Sequence, residues 1–401
     1  MARLRSQEKL KAILAEYFKG MRSPLAWCTS AGPAEILRAL GFEVYFPENH
    51  GALLGASRTA AKYIPRAHQA GYGPEICSYL TADIGAFLMK ETPLTDAYGL
   101  ASIPKPDLIV YNTNQCREVS DWFGFFGKEF GCPVVGINPP RHLDDVSPAD
   151  VRLVVSQFEK LIETGEKIIG RRLDPKRLAE TVELSGLASE CWKQVLATAK
   201  HRPSPLTFWD GTILMAPIVI LRGTQICLDF YRETLEELEE LVKRKEGAVP
   251  NERVRIYWEG MPIWPRLRAF SELCAVNQAA VVASTYCNSW VFDHFDARKP
   301  LESMAYDYTQ IFINRSEHAK LEILKGLVGD FAADGVIFHD SKTCFNNANC
   351  RFGMPERLRC ETGVATLTIN GDLNDIRFFS DGQARTRFET FVEQLKRNKK
   401  A

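Results

Sequence analysis

The chain has 401 residues, 45% hydrophobic and 25% charged, with 50 Lys+Arg balancing 50 Asp+Glu. That length predicts two or three domains, and a formal net charge of zero excludes the basic balance of a nucleic-acid or anionic-membrane binder. The most apolar stretch, 213–221, is far too short to span a bilayer.

The opening segment, MARLRSQEKLKAILAEYFKGMRSP, carries charges throughout and no continuous apolar core. It reads as an amphipathic helix rather than a signal peptide, so the expected location is cytoplasmic. Short β-branched runs at 25–28, 43–46, 108–111 and 134–137 follow, each leading through polar or Gly/Pro-rich residues into helix-like sequence. From 148 to about 245 helix formers dominate, and Ser147-Pro148 supplies an N-cap followed by proline at the first helical position. His201–Pro205 breaks these helices once, and 246–250 reads as a linker. Strands resume at 254–258, 280–283, 336–338 and 365–369, again separated by helices.

Apolar strands alternating with helices imply parallel sheets covered on both faces. The expected fold is α/β: two doubly wound parallel-sheet domains of the Rossmann or flavodoxin-like kind, with a helical segment between them. The expected boundaries are 1–147 for the N-terminal α/β domain, 148–250 for the helical segment and 251–401 for the C-terminal α/β domain. In open parallel sheets, ligands sit outside the carboxyl ends of the strands. That rule selects Thr29-Ser30, 47–49, 112–116, Asn138-Pro139, 259–262, Ser284-Thr285, 341–344 and Asp372.

Eleven cysteines occur, at 28, 77, 116, 132, 191, 227, 274, 287, 344, 350 and 360. An odd count, irregular spacing and no export signal argue against a disulfide framework. There is no CxxC, so spacing alone gives no metal-site signal. A cysteine in such a chain is more often a buried small hydrophobe than a ligand, and Cys191, Cys227 and Cys274, in helical settings, read that way. Cys132 precedes a strand, at the wrong end of the sheet. Cys116 and Cys344 instead follow strands in the polar loops NTNQC and DSKTC, and Cys77 in GYGPEICSYL precedes a helix whose N-terminus favours a thiolate. Three such thiols suit a [4Fe–4S] cluster with one iron free.

Ser30 and Glu48 follow the first two strands. Taken singly, such a serine is usually an N-cap and such a glutamate solvated; their placement at adjacent strand ends makes them candidates. GxSxG, GxGxxG and GxxxxGK[ST] are all missing, so neither a serine hydrolase nor a phosphate loop is encoded.

The stretches AWCTSAGPAEIL, VYFPENHGALLGA, GYGPEICSYLTADIG, PDLIVYNTNQC, CPVVGINPP, RIYWEGMPIWP and DGVIFHDSKTC, in that order and spacing, resemble the 2-hydroxyacyl-CoA dehydratase and benzoyl-CoA reductase family. RPSP, ILRG and the INGDLNDIRFFSDGQARTRFETFVE segment carry the likeness across nearly the whole chain. The resemblance implies an iron–sulfur subunit whose [4Fe–4S] cluster is bound by Cys77, Cys116 and Cys344, with Ser30 and Glu48 as substrate-contacting or acid/base residues. It implies an acyl-CoA substrate and a homologous β-type cluster subunit (or a second copy) as partner. It further implies a separate ATP-hydrolysing iron–sulfur activator, whose electron forms a ketyl radical of the thioester that eliminates water. The PENH form around Glu48 is closer to the dehydratases, while RPSP resembles the ring reductases. Cys350 has no place in that pattern and is similar to the extra cysteines of double-cubane cluster proteins. A cluster-less assembly scaffold is the alternative from a different class.

Overall fold

A computed structural model of the protein describes residues 4–399. It contains two four-stranded sheets, ordered β2-β1-β3-β4 and β6-β5-β7-β8. The strands are β1 Leu25–Cys28, β2 Glu43–Tyr45, β3 Leu108–Asn112 and β4 Val134–Ile137, then β5 Val254–Glu259, β6 Ala279–Ser284, β7 Gly335–Ser341 and β8 Ala365–Gly371. All pairings are parallel, so the expected α/β class with two parallel sheets is what the chain adopts.

The two sheets share one winding. In each, the first strand of the set lies between the second and the third, which places a switch in chain direction at β1/β3 and again at β5/β7. Helices cover both sides of the sheets, so every residue of the inner strands β1 and β5 is buried, as is every residue of the edge strand β6. The outer strand β8 is half-exposed along most of its length. All eight sequence-read strands are present. β7 runs three residues beyond the expected 336–338 at its carboxyl end, because His339, Asp340 and Ser341 keep in register with Ile369, Asn370 and Gly371 of β8. Polar residues there mark a strand end facing a site rather than a loop.

The helix Arg5–Lys19 packs against Gln225–Arg244, its register fixed by the Ser6 amide donating to Glu237 at 2.9 Å. Helix Pro148–Ile169 starts at Ser147 as its sequence announces, and Asp150 completes a capping box. It lies against β4 and against helix Pro300–Thr309. Among the described residues no helix is long and apolar enough to cross a membrane.

Candidate active site

The carboxyl ends of both sheets open onto one cavity, with about 1200 Å³ of empty space counting its solvent-open mouth. Every strand except β4 sends a residue to it through the segment that follows. These are Ser30 after β1, Glu48 and Asn49 after β2, Gln115 and Cys116 after β3, Met261 after β5, Tyr286 after β6, Cys344 after β7 and Leu373 after β8. Asn138-Pro139, selected by the same strand-end rule, is not part of it.

Cys77, Cys116 and Cys344 all line this cavity and are half-buried. Cys77 is the N-cap residue of helix Ser78–Met89, Cys116 lies two residues before helix Glu118–Phe130, and Cys344 starts the single turn Phe345–Asn347. Backbone N–H groups of the following turns face each sulfur: Leu80 for Cys77, Val119 for Cys116, Asn347 for Cys344. Desolvation nonetheless dominates, pushing the Cys116 thiol up to about 12 and the other two well above the usual range. The three feel one another electrostatically, since a charge on one raises the next. Among the described residues no three His, Cys, Asp or Glu side chains are grouped to hold a metal ion. The three thiols border the cavity without forming such a group. Of the other eight cysteines, Cys28, Cys227, Cys274 and Cys287 are buried, Cys132, Cys191 and Cys350 are half-buried, Cys360 is exposed, and none borders the cavity.

Glu48 sits in the first turn of helix Pro47–Ala56. Its carboxylate accepts from the backbone N–H of Ser30, while the Ser30 hydroxyl donates to Asn49 at 3.2 Å. Burial raises the Glu48 carboxyl to about 7, against the opposing pull of Ser30, Arg222 and Gln115. The Ser30 loop is held by asparagines of the NTNQC segment: Asn112 and Asn114 side-chain amides donate to the Ala31 carbonyl at 3.3 and 3.0 Å. Beneath it, the buried Arg222 guanidinium donates to the Gly32 carbonyl at 2.6 Å and lies 3.2 Å from Glu35.

The cysteine segments are stitched together by residues beside them. The Cys77 amide donates to Glu118 at 3.0 Å, and the Ser78 amide to the Thr343 hydroxyl at 3.0 Å. Asp372 accepts from the Thr343 amide and hydroxyl at 2.8 and 2.7 Å, and from the Ser78 hydroxyl on its other oxygen. Helix Pro47–Ala56 joins the same assembly through the Asn374 amide donating to the Gly51 carbonyl at 2.7 Å. Gly55 is obligatory for that contact, since a Cβ there would stand 1.9 Å from the Asn374 side-chain oxygen. Sequence reasoning singled out Asp372 and the two loops, but missed Glu118, Thr343 as a bridge, and the wall built from 212–219 and 286–313. No motif marks those residues; only their contacts do.

Two parallel sheets whose strand ends enclose an aromatic-walled cavity, with three thiols and a carboxyl poised near neutrality, define an enzyme subunit. The chain belongs to the 2-hydroxyglutaryl-CoA dehydratase, D-component family, which matches residues 29–395. It is 28% identical over 413 aligned positions to lactoyl-CoA dehydratase subunit alpha of Anaerotignum propionicum, covering 97% of both chains. It is 27% identical to the (R)-2-hydroxyisocaproyl-CoA dehydratase alpha subunit of Clostridioides difficile, over 94% of this chain and 91% of that one. A benzoyl-CoA reductase subunit of Thauera aromatica is also 27% identical, over 87% of this chain and 83% of the relative.

Proposed function

We propose that this chain is the iron–sulfur subunit of a 2-hydroxyacyl-CoA dehydratase. The observation that carries the reading is the convergence of Cys77, Cys116 and Cys344 on one cavity wall with Ser30 and Glu48. Three desolvated thiols are a poor set of anions unless something cationic shares their negative charge. A set of sulfurs alone, with backbone N–H groups aimed at them, fits a [4Fe–4S] cluster with three protein ligands. Held by Cys77, Cys116 and Cys344, that cluster would supply one-electron transfer to the thioester. The activator that delivers the electron at the cost of ATP, and the homologous β-type subunit (or second copy), are the partners this reading requires.

The residues of the chain then divide the remaining work. Glu48, with its carboxyl near 7, can give a proton to a departing 2-hydroxyl group so that it leaves as water. The Ser30 hydroxyl, held by Asn49, contacts the substrate beside it. Trp122, Trp264 and Trp290 in the wall exclude water from the reacting carbon.

A second reading, the corresponding subunit of an ATP-dependent benzoyl-CoA reductase, is favoured by the reductase relative and by that aromatic wall. The test is an anaerobic assay of the complex assembled with its partner subunit and activator. Dehydration of a 2-hydroxyacyl-CoA supports the dehydratase; ring reduction of benzoyl-CoA without any dehydration replaces it. Near-zero iron and sulfide after reconstitution would leave a cluster-less scaffold.

A further inference from the structure

We infer that the acyl group accepted by this cavity is uncharged and apolar, and that acyl groups ending in a carboxylate are rejected. The inference rests on the thioester reading above. Among the described residues lining the cavity there is no lysine, arginine or histidine; its only formally charged side chains besides the thiols are Glu48 and Glu118. A second carboxylate brought in by the substrate would lose its hydration and find no lysine, arginine or histidine on the wall to pair with.

Three cations behind the wall, buried Arg222 and Lys320 and half-buried Arg141, are engaged with other groups. Arg222 faces Glu35 at 3.2 Å and donates to the Gly32 and Val219 carbonyls. Lys320 donates to Asn349 at 3.1 Å, and Arg141 to the Thr113 carbonyl and to Asn346. None of the three borders the cavity. The segments 212–219 and 286–313 present Met215, Val219, Trp290, Ile311 and Ile313 instead. Such a surface gains from each buried methylene and offers nothing to an anion.

The measurement is calorimetric binding to the anaerobic, cluster-loaded complex of non-reacting thioesters: 4-methylpentanoyl-CoA, 3-phenylpropanoyl-CoA and glutaryl-CoA. These lack a 2-hydroxyl group, so the readout is independent of turnover. The first two are expected to bind at least about 100-fold more tightly than glutaryl-CoA. Ile313→Lys, which puts an ammonium on the wall, is expected to shrink that ratio at least about tenfold; Ala216→Lys serves the same purpose if Ile313→Lys does not fold. Equal or tighter binding of glutaryl-CoA to the unmodified complex overturns the inference and leaves the dehydratase reading intact. A complex that dehydrates no 2-hydroxyacyl-CoA, yet ranks the three esters as expected, overturns the dehydratase reading and not the apolar preference. Failure to bind any thioester overturns both.

Discussion

The Ser78 amide donates to the Thr343 hydroxyl at 3.0 Å across 265 residues of sequence. That single bond ties the segment carrying Cys77 to the segment carrying Cys344, and Asp372 grips both sides of it. Spacing between two of the three sulfurs is thus set by neutral and anionic groups that do not themselves reach into the cavity.

Asp372→Asn keeps the shape of this node but turns one acceptor oxygen into a donor facing other donors. The expected cost is about 2–4 kcal/mol of stability, read from urea denaturation of the metal-free protein. Thr343→Ser retains the hydroxyl and should stay within about 1 kcal/mol. If the two variants unfold at the same urea concentration, Asp372 is not what joins these segments.

Cys77→Ala, Cys116→Ala and Cys344→Ala should each bring iron and sulfide content after anaerobic reconstitution down toward background. Cys227→Ala, in the core, and Cys350→Ala, away from the cavity wall, should keep the wild-type content. Equal iron in all five proteins would reject the assignment of the three ligands.

Glu48 has its carboxyl raised to about 7 by burial. A step in which it donates a proton should slow as pH rises through 7 and run freely below it. Glu48→Gln should lower kcat by about 10²- to 10⁴-fold with iron content unchanged, and its residual rate should lack that limb. A wild-type profile flat from pH 6 to 8 would remove Glu48 from the acid role.

A second carboxyl, Glu259, closes β5 inside a buried set formed by Thr285, Asn349, Tyr257 and Lys320, with half-buried Cys350 nearby. Burial raises it from 4.5 to about 7. Because the folded value lies above the unfolded one, this contribution to stability is fully present below pH 4.5 and is lost as pH rises through 7. Relative to Glu259→Gln, the wild type should lose up to about 3 kcal/mol between pH 4.5 and 8. Parallel stability curves for the two proteins would contradict the shift.

All eight strands were legible because each is a short apolar run between helical stretches, and strand ends then pointed to Ser30, Glu48, Cys116 and Cys344. Cys77 was reachable only through the helix beginning behind it, since it follows no strand. What could not be read is whatever depends on the two sheets meeting. Glu118 looks like an ordinary acidic residue of a first helical turn, yet it holds the Cys77 amide. Met215, Val219 and Ile313 look like plain core residues, and become a cavity wall only when 212–219 and 286–313 fold against both sheets. Arg222 likewise shows nothing in sequence of its burial beneath the Ser30 loop.

Because the cavity takes a residue from the segment after β8 as well as from the one after β1, its outline does not exist on a nascent chain until synthesis has passed Leu373. Cys77 emerges from the ribosome 267 codons ahead of Cys344. A guest that needs all three sulfurs would therefore have its full set of partners only after Cys344 has been made.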